Sequence, residues 1–566
     1  MPLDRLQKEG LSSFLGVNLR KDALTLAEGD LARAINADFQ SKPGVLLRRR
    51  GRTPDFLTPL GGAVRAIARH NARRYHLAGN QWYREQTSIL SGLDTTAVQT
   101  MAPYQLANEV APQTYFAAQS GMRRDTGSVV HTWGIAAPTA APAVVAGAAG
   151  GLTGEYRAAY SYARVSAQGL VVESNLSPQS ALVTLAAQQL DITTVASTDP
   201  QVTNIRLYRT LERGALLFID RFIVNVSGPV PSVIADTALG AVAADGHNPP
   251  PLANWVAEFQ GAFFLCQAIR PDYLWYSRRF EVEYWPPENF LQIGSPSDPL
   301  QCAVPQVGFL GVFSRQTKYR VFGNHTSGFA YLEALNTRGT PAPQAVLATS
   351  RGTLFWARDG IWATNFVAAD QELSVAWQPL FDHQAVNDYQ PVDWGQVATF
   401  SLAEYKRRLY AGYTDTAGNQ IMAVYAQETS QWYFYTHPAR SLYYEEELDQ
   451  LLMGGLNGLV YVLEEGTDDA GVEIAQQATL ATRSGGDRFV QKRFGYLRLD
   501  LHAYSATTVD VYVDGVMEYT LTITDQRNRR LLRLPSDLLG YEWEVRLTGA
   551  FDLFALVMSY APLEES

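Results

Sequence analysis

A short apolar-aromatic strand, a glycine-containing turn and a second strand carrying Tyr or Trp recur along this chain. No other feature narrows its fold as much. Tyr75–Tyr83 is one copy, turning at Gly79-Asn80, and Gly352–Trp362 is another, turning at Asp359-Gly360. Arg408–Tyr413 leads into Met422–Tyr425 and then Gln431–Phe434, and Leu451–Tyr461 turns at Asn457-Gly458. Asp-Gly and Asn-Gly favour tight hairpins because such turns need positive φ, and the aromatic residues suit half-buried pleated surfaces. Copies in the second half fall at irregular intervals of roughly 40 to 60 residues, the range of multi-stranded repeats such as propeller blades. An ordinary sandwich of several hairpins is the competing reading. The expected fold class is all-β, with a β-propeller as the favoured architecture.

Composition agrees with short strands and excludes several classes. Of 566 residues, 46% are hydrophobic, 11% aromatic and only 18% charged, so a core is easily filled. The length corresponds to about three or four domains. With 46 Lys+Arg against 56 Asp+Glu the net charge is -10, a poor balance for general nucleic-acid binding, which needs concentrated positive charge. Cys266 and Cys302 are too few for a disulfide framework or a zinc cage. There is no apolar run of about 20 residues. Met1-Pro2-Leu3-Asp4-Arg5 lacks the basic-then-apolar layout of a secretory signal, so synthesis without one is expected.

Four regions follow from the pattern. Residues 1–60 read as an N-terminal docking arm, with a short helix over Leu24–Ala34 and a strand over Val45–Arg50 after the Lys42-Pro43-Gly44 turn. Residues 61–133 and 250–484 carry the propeller hairpins. An Ala/Pro/Gly-rich linker from Trp133 to Gly151 opens an insertion, 134–249, whose short strands and regular turns suit an immunoglobulin- or fibronectin-III-like sandwich. In 485–566, Phe494–Leu501 and Thr508–Gly515 alternate with period two, as in a small C-terminal β-sandwich.

No constellation in the sequence announces catalysis, and none is expected. It has no phosphate loop with its Lys, no H-E-x-x-H and no G-x-S-x-G elbow. The eight histidines are scattered and read as structural, and neither cofactor nor metal is expected. Two acidic groups stand out, Glu445-Glu446-Glu447 and Asp468-Asp469. Paired carboxylates can serve a glycosidase, but adjacent ones in turn-rich loops read first as solvated surface. A calcium loop at Asp468-Asp469 would lack the spacing and Gly of an EF-hand. Arg48, Arg49, Arg50 and Arg52 form a basic cluster, readable as an edge strand guarded by charge or as a docking surface. The doublets Arg73-Arg74, Arg123-Arg124, Arg278-Arg279 and Arg407-Arg408, with Arg527, Arg529, Arg530 and Arg533, read as edge guards or interface charges.

The opening residues Phe14–Asn18, Leu26–Asp38 and Pro43–Thr53 resemble the start of bacteriophage tail and neck structural proteins. Asp272–Ser277, Trp285–Gly294 and Phe355–Trp362 resemble recurrent segments of the same proteins, and the insertion around Tyr156–Tyr162, Glu173–Asn175 and Tyr208-Arg209 is similar to fibronectin-like insertions in phage virion proteins. The resemblance implies a tail nozzle, or tail tubular protein, of a short-tailed phage. Such a protein would be a homo-hexameric ring with a β-propeller, placed in the virion tail after assembly in the host cytoplasm. It would touch portal or adaptor and fibre or spike proteins, with double-stranded DNA passing through and contact with the host surface as a further option. On that reading Glu445, Glu446, Glu447, Asp468 and Asp469 are expected to face the channel, and Arg48, Arg49, Arg50 and Arg52 to dock neighbours. A receptor- or glycan-binding tail propeller and a polysaccharide-degrading tail enzyme are the alternatives.

Overall fold

The computed structural model describes every residue except 1–5, 97, 268, 336–337, 525–527 and 564–566. Met1 to Arg5 and Arg527, read above, lie outside the described residues. The protein is all-β, and the only α-helix among the described residues is Gln378–Phe381. The chain forms two compact units: Met1–Ala68, Arg74–Gln86 and Thr340–Ser566 make the first, and Arg69–Arg73 with Thr87–Gly339 make the second.

The first unit is a series of antiparallel meanders ending in a stacked pair of sheets. Val346–Thr349, Gly352–Ala357, Gly360–Thr364 and Gln371–Glu372 form one four-stranded meander. Ser401–Tyr405, Arg408–Thr414, Gln420–Ala426 and Gln431–Tyr435 form the next. The following one holds Ala439–Glu445, Gln450–Gly455 and Val460–Leu463, and its fourth strand is Arg52–Pro54, with Val462 opposite Thr53. The hairpin Arg73–Ala78/Gln81–Arg84 pairs Leu77 with Trp82. Buried aromatic rings fill the layers between meanders. Trp377 is fully buried and meets Trp356, Trp432 and Phe434 at centroid separations of 5.1 to 6.0 Å. Such tilted and edge-on pairs are each worth about 0.5–1.5 kcal/mol beyond burial.

Two sheets close the first unit. Lys492–Ala503 pairs with Phe551–Pro562 and Asn528–Arg533, and Gln7–Leu11 adds beyond Phe551–Pro562, with Glu9 opposite Met558. Gln476–Leu480, Trp543–Gly549, Thr507–Val513 and Val516–Ile523 run in that order in the facing sheet. The inward residues of both, among them Leu497, Leu499, Leu556, Val509, Val511 and Val545, share one hydrophobic core.

The second unit has three meanders and a pair of sheets. The meanders are Thr100–Tyr104 to Val130–Thr132, Trp255–Phe259 to Phe290–Gln292, and Leu300–Gln306 to Gly328–Glu333. Between the first two, Ala143–Tyr156, Val183–Thr194 and Gly228–Ser232 make one sheet, and Gly169–Glu173, Ala158–Ser166, Asn204–Thr210 and Leu217–Val224 make another. Their common core includes Leu152, Leu190 and Ile192 from one and Tyr160, Ile205 and Leu207 from the other.

Two expectations for residues 1–60 are corrected. The helix over Leu24–Ala34 is a short 3-10 turn, Ala23–Thr25, followed by a strand, Asp30–Ile35. Asp22 Oδ1 caps the turn by accepting from Leu24 N at 3.0 Å, but Leu26 is already extended at φ -61° and ψ 140° and ends it. Asp30–Ile35 is then buried between Gly16–Val17 and Gln476–Leu480, so pairing outweighs the helical propensity of its alanines. Nor does the segment stand apart as an arm, because its strands belong to four different sheets of the first unit.

Candidate functional site

The residues expected at a channel and at a docking surface meet one another inside the first unit. Asn36, at φ 57°, turns the chain into the two-residue strand Ala37–Asp38, which pairs with Leu47–Arg48. Asp38 holds the intervening loop by accepting from Gln40 N at 2.8 Å and Ser41 N at 3.2 Å. The returning strand brings the arginines back past Asn36. Arg49 Nε donates to Asn36 Oδ1 at 2.8 Å, and its two Nη atoms donate in parallel to Asp469 at 2.8 and 2.6 Å. A bidentate guanidinium–carboxylate pair of this kind fixes orientation as well as adding energy.

A second cation completes the cluster. Arg408 Nη2 lies 3.1 and 3.0 Å from the two oxygens of Asp38, Nη1 lies 3.5 Å from Glu464, and Nε donates to Gln40 at 3.0 Å. Tyr410 donates to Glu464 at 3.0 Å. Burial raises the Glu464 carboxyl above its ordinary range, with Arg408 opposing the rise. Burial would likewise discharge Arg408, but the surrounding phenols and Asp38 hold its proton more firmly than usual. His437 sits beside this cluster, and burial followed by the charges of Arg49 and Arg52 keeps its ring neutral far below the ordinary histidine range.

The expected surface roles are therefore corrected residue by residue. Glu445 is 1% exposed and bonds Arg74 Nη2 at 2.5 Å, while the other Arg74 nitrogen pairs with Asp55. A carboxylate so placed faces no channel. Asp469 is half-buried, and both of its carboxylate oxygens are taken by Arg49. Glu446 and Glu447 stay exposed on the turn Glu446–Leu448, and Asp468 is exposed, with Oδ1 accepting from Gly471 N at 2.6 Å. On the basic side, the Arg49 side chain is fully buried and docks nothing external. Arg48 lies half-buried over the Tyr504 ring at 4.2 Å and Arg52 over Tyr461 at 5.0 Å, and Arg50 alone of the four is exposed. The glycine between them is required by close approach: a Cβ on Gly51 would lie 1.8 Å from the Asp468 carbonyl oxygen.

A second buried cluster occupies the second unit, and the sequence reading missed it. Arg164, on the Ala158–Ser166 strand, donates to Glu283 at 2.7 Å and to Glu109 at 2.9 Å. Arg124 lies 3.3 Å from Glu283 and donates to Gln201 at 3.0 Å. Tyr115 donates to Glu283 at 3.1 Å. Burial would raise Glu283, but Arg164 and Arg124 hold it below the ordinary carboxyl range. The doublet Arg123-Arg124 is therefore no edge guard, since Arg124 is 1% exposed. Arg74 and Arg408 are corrected in the same way. In these three doublets the second arginine is the buried one, and in the last of them Arg407 lies in the hairpin turn at φ 60° while Arg408 opens the buried strand. A buried carboxylate partner from a distant segment was the missing signal.

Neither cluster is arranged for turnover. The carboxylates are engaged by guanidinium groups or phenols. Cys266 and Cys302 are buried, and burial pushes the Cys266 thiol up to about 12, away from a reactive thiolate. No group of three metal-ligating side chains occurs among the described residues. What both clusters do is tie distant segments together.

No known family profile matches the chain, and no curated protein matches it. Solved structures align only at low similarity. A lectin, BP39L, from Burkholderia pseudomallei shares 10% identity over 68% of this chain and 98% of its own, with a TM-score of 0.25. YCF48 from Cyanidioschyzon merolae shares 9% over 73% and 98%, TM-score 0.25. An exo-β-1,3-galactanase from Phanerochaete chrysosporium shares 9% over 57% and 98%, TM-score 0.21. Similarity at this level carries no argument about chemistry.

Proposed function

We propose that this chain is a structural protein of a bacteriophage tail, working as a ring subunit around the DNA channel and not as an enzyme. The observation that carries the reading is the course of the tail-like opening segment. Gln7–Leu11, Gly16–Val17 with Asp30–Ile35, and Arg52–Pro54 each enter a different sheet, and Arg49 and Asp38 anchor the path between them. A segment locked at so many points suits a part that must keep its shape against the push of packaged DNA.

The finer architecture belongs to the same proposal. Seven four-stranded meanders in chain order, counted among the described residues, are read as propeller blades. The entry of Arg52–Pro54 into the last of them is read as the strand exchange by which such a fold would close. The insertion is read as fibronectin-like: its sheet order Gly169–Glu173, Ala158–Ser166, Asn204–Thr210, Leu217–Val224 matches the C′-C-F-G arrangement of such sandwiches. Six copies at -10 each, 6 × -10, would give a ring of -60, whose walls repel phosphate and let DNA slide. With Glu445 and Asp469 paired internally, the exposed acids left to such a wall from the expected set are Glu446, Glu447 and Asp468.

Imaging of the purified full chain by electron microscopy tests the reading. A six-fold ring with a central channel is expected. A monomer or a trimeric spike overturns it, as does release of reducing sugar from host glycan.

A further inference from the structure

The two outer faces of the C-terminal sheet pair carry opposite charge. On Lys492–Ala503 the exposed residues include Arg493 and Arg498, and in the flanking Asn528–Arg533 strand Arg529 and Arg533 lie beside them, with Tyr496 opposite Arg533 and Arg498 opposite Leu531. Lys8, opposite Ser559, continues this face at the far edge. The acids there are spoken for: Asp500 pairs with Arg529 at 3.1 Å, and Asp552 accepts from the Arg48 backbone at 2.9 Å and from Tyr504 at 2.6 Å. Between Arg493 and Arg533, with Leu6 and Leu534, lies a shallow depression of about 100 Å³. This is a strongly positive surface on a chain whose net charge is -10.

The opposite face, behind the shared core, is negative. Asp22, Asp514, Glu542 and Glu544 line a cavity of about 360 Å³ with Tyr512 and Arg546. Arg546 is engaged by Glu544 at 2.6 Å, and Arg488 reaches Glu542 only at 3.5 Å. Asp510, on the same outward side of Thr507–Val513, adds to it. Apolar anchors accompany both faces, with Leu531 45% exposed on the basic side and Met517 55% exposed on the acidic side. Opposed charge with exposed apolar side chains is what a specific contact uses for register and for affinity.

We infer that the basic outer face of this sheet pair docks onto the acidic face of a second copy of the chain, head to tail. Because the two surfaces differ and lie back to back, the contact is heterologous: every copy offers one free face to the next, so it propagates and closes only if its rotation does. This surface assignment shares with the ring reading the premise that the chain self-associates, and adds which surfaces meet.

Charge reversal tests it on the full chain. One variant carries Arg493→Glu, Arg498→Glu and Arg533→Glu; the other carries Asp510→Lys, Glu542→Lys and Glu544→Lys. Mass photometry and sedimentation should show each variant alone as a monomer with an unchanged circular dichroism spectrum. An equimolar mixture should assemble again, since every basic face then meets an acidic one; a misfolded variant could not give this rescue. Wild-type association should weaken at least tenfold between 50 and 500 mM salt. If both variants assemble unaided, the surface assignment fails and the ring reading survives. If the wild type is a monomer at low salt, both fail. If the arginine variant still assembles but loses retention of duplex DNA, the basic face serves nucleic acid and the inference is overturned.

Discussion

At the scale of single residues, the arginines divide by whether a buried carboxylate meets them. Arg407 and Arg408 are neighbours in sequence, yet Arg407 meets Glu428 in solvent at 2.6 Å while Arg408 is enclosed with Asp38 and Glu464. Removing one partner of a buried pair leaves an uncompensated charge, whereas an exposed pair contributes little. Arg408→Met is expected to cost about 3–5 kcal/mol in chemical denaturation of the full chain, and Arg407→Met less than about 1 kcal/mol. Equal losses would show that Arg408 is no anchor. The doublets were legible in the sequence, but not which member is buried. That is set by where Asp38, Glu283 or Glu445 arrives from segments far away in the chain, and local pattern holds no record of it.

At the scale of elements, hairpins were the most legible part. Gly79, Gly360 and Gly458 adopt positive φ at turns read from sequence, and strands flank each of them. Asp30–Ile35 was misread because Leu31, Ala34 and Ile35 fit a helical stripe as well as a buried strand, and only its two neighbours decide. The acidic and basic clusters were visible, but as two sites; their meeting depends on Arg52–Pro54 pairing with Val460–Leu463. Gly51 is the point where that pairing is most crowded. Gly51→Ala is expected to destabilise the chain by roughly 1–3 kcal/mol through overpacking against the Asp468 carbonyl. Gly515→Ala, where a Cβ would meet nothing within 4 Å but φ is 78°, should cost about 1 kcal/mol or less. Thermal melts of the two variants check the order.

At the scale of the whole molecule, buried neutral histidines set a direction for pH dependence. Partial burial lowers half-buried His70 to about 4, and full burial, together with Arg49 and Arg52, lowers His437 well below its ordinary value. The unfolded chain protonates these rings near pH 6.5 and the folded chain resists, so the unfolded state binds more protons in between. Stability is therefore expected to fall as pH drops from about 6.5 towards 4, by up to about 1.4 kcal/mol per pH unit for each such ring. Glu464 and Glu109, raised by burial, act with the opposite sign. The measurement is the difference in urea-midpoint slope between wild type and His437→Phe over pH 5 to 7; identical slopes would remove His437 from the account.

The course of the opening segment also fixes an order in time. Gln7–Leu11 waits for Phe551–Pro562, and Arg52–Pro54 for Val460–Leu463, so early residues leave the ribosome long before their partners exist. At about 5–20 residues per second, 566 residues take roughly half a minute to two minutes. For most of that interval Phe14, Val17, Leu31 and Ile35 lack the larger part of the core they join, which comes from Ala342 onward. Slowing or speeding translation is therefore expected to change the yield of folded chain even where final stability is unchanged.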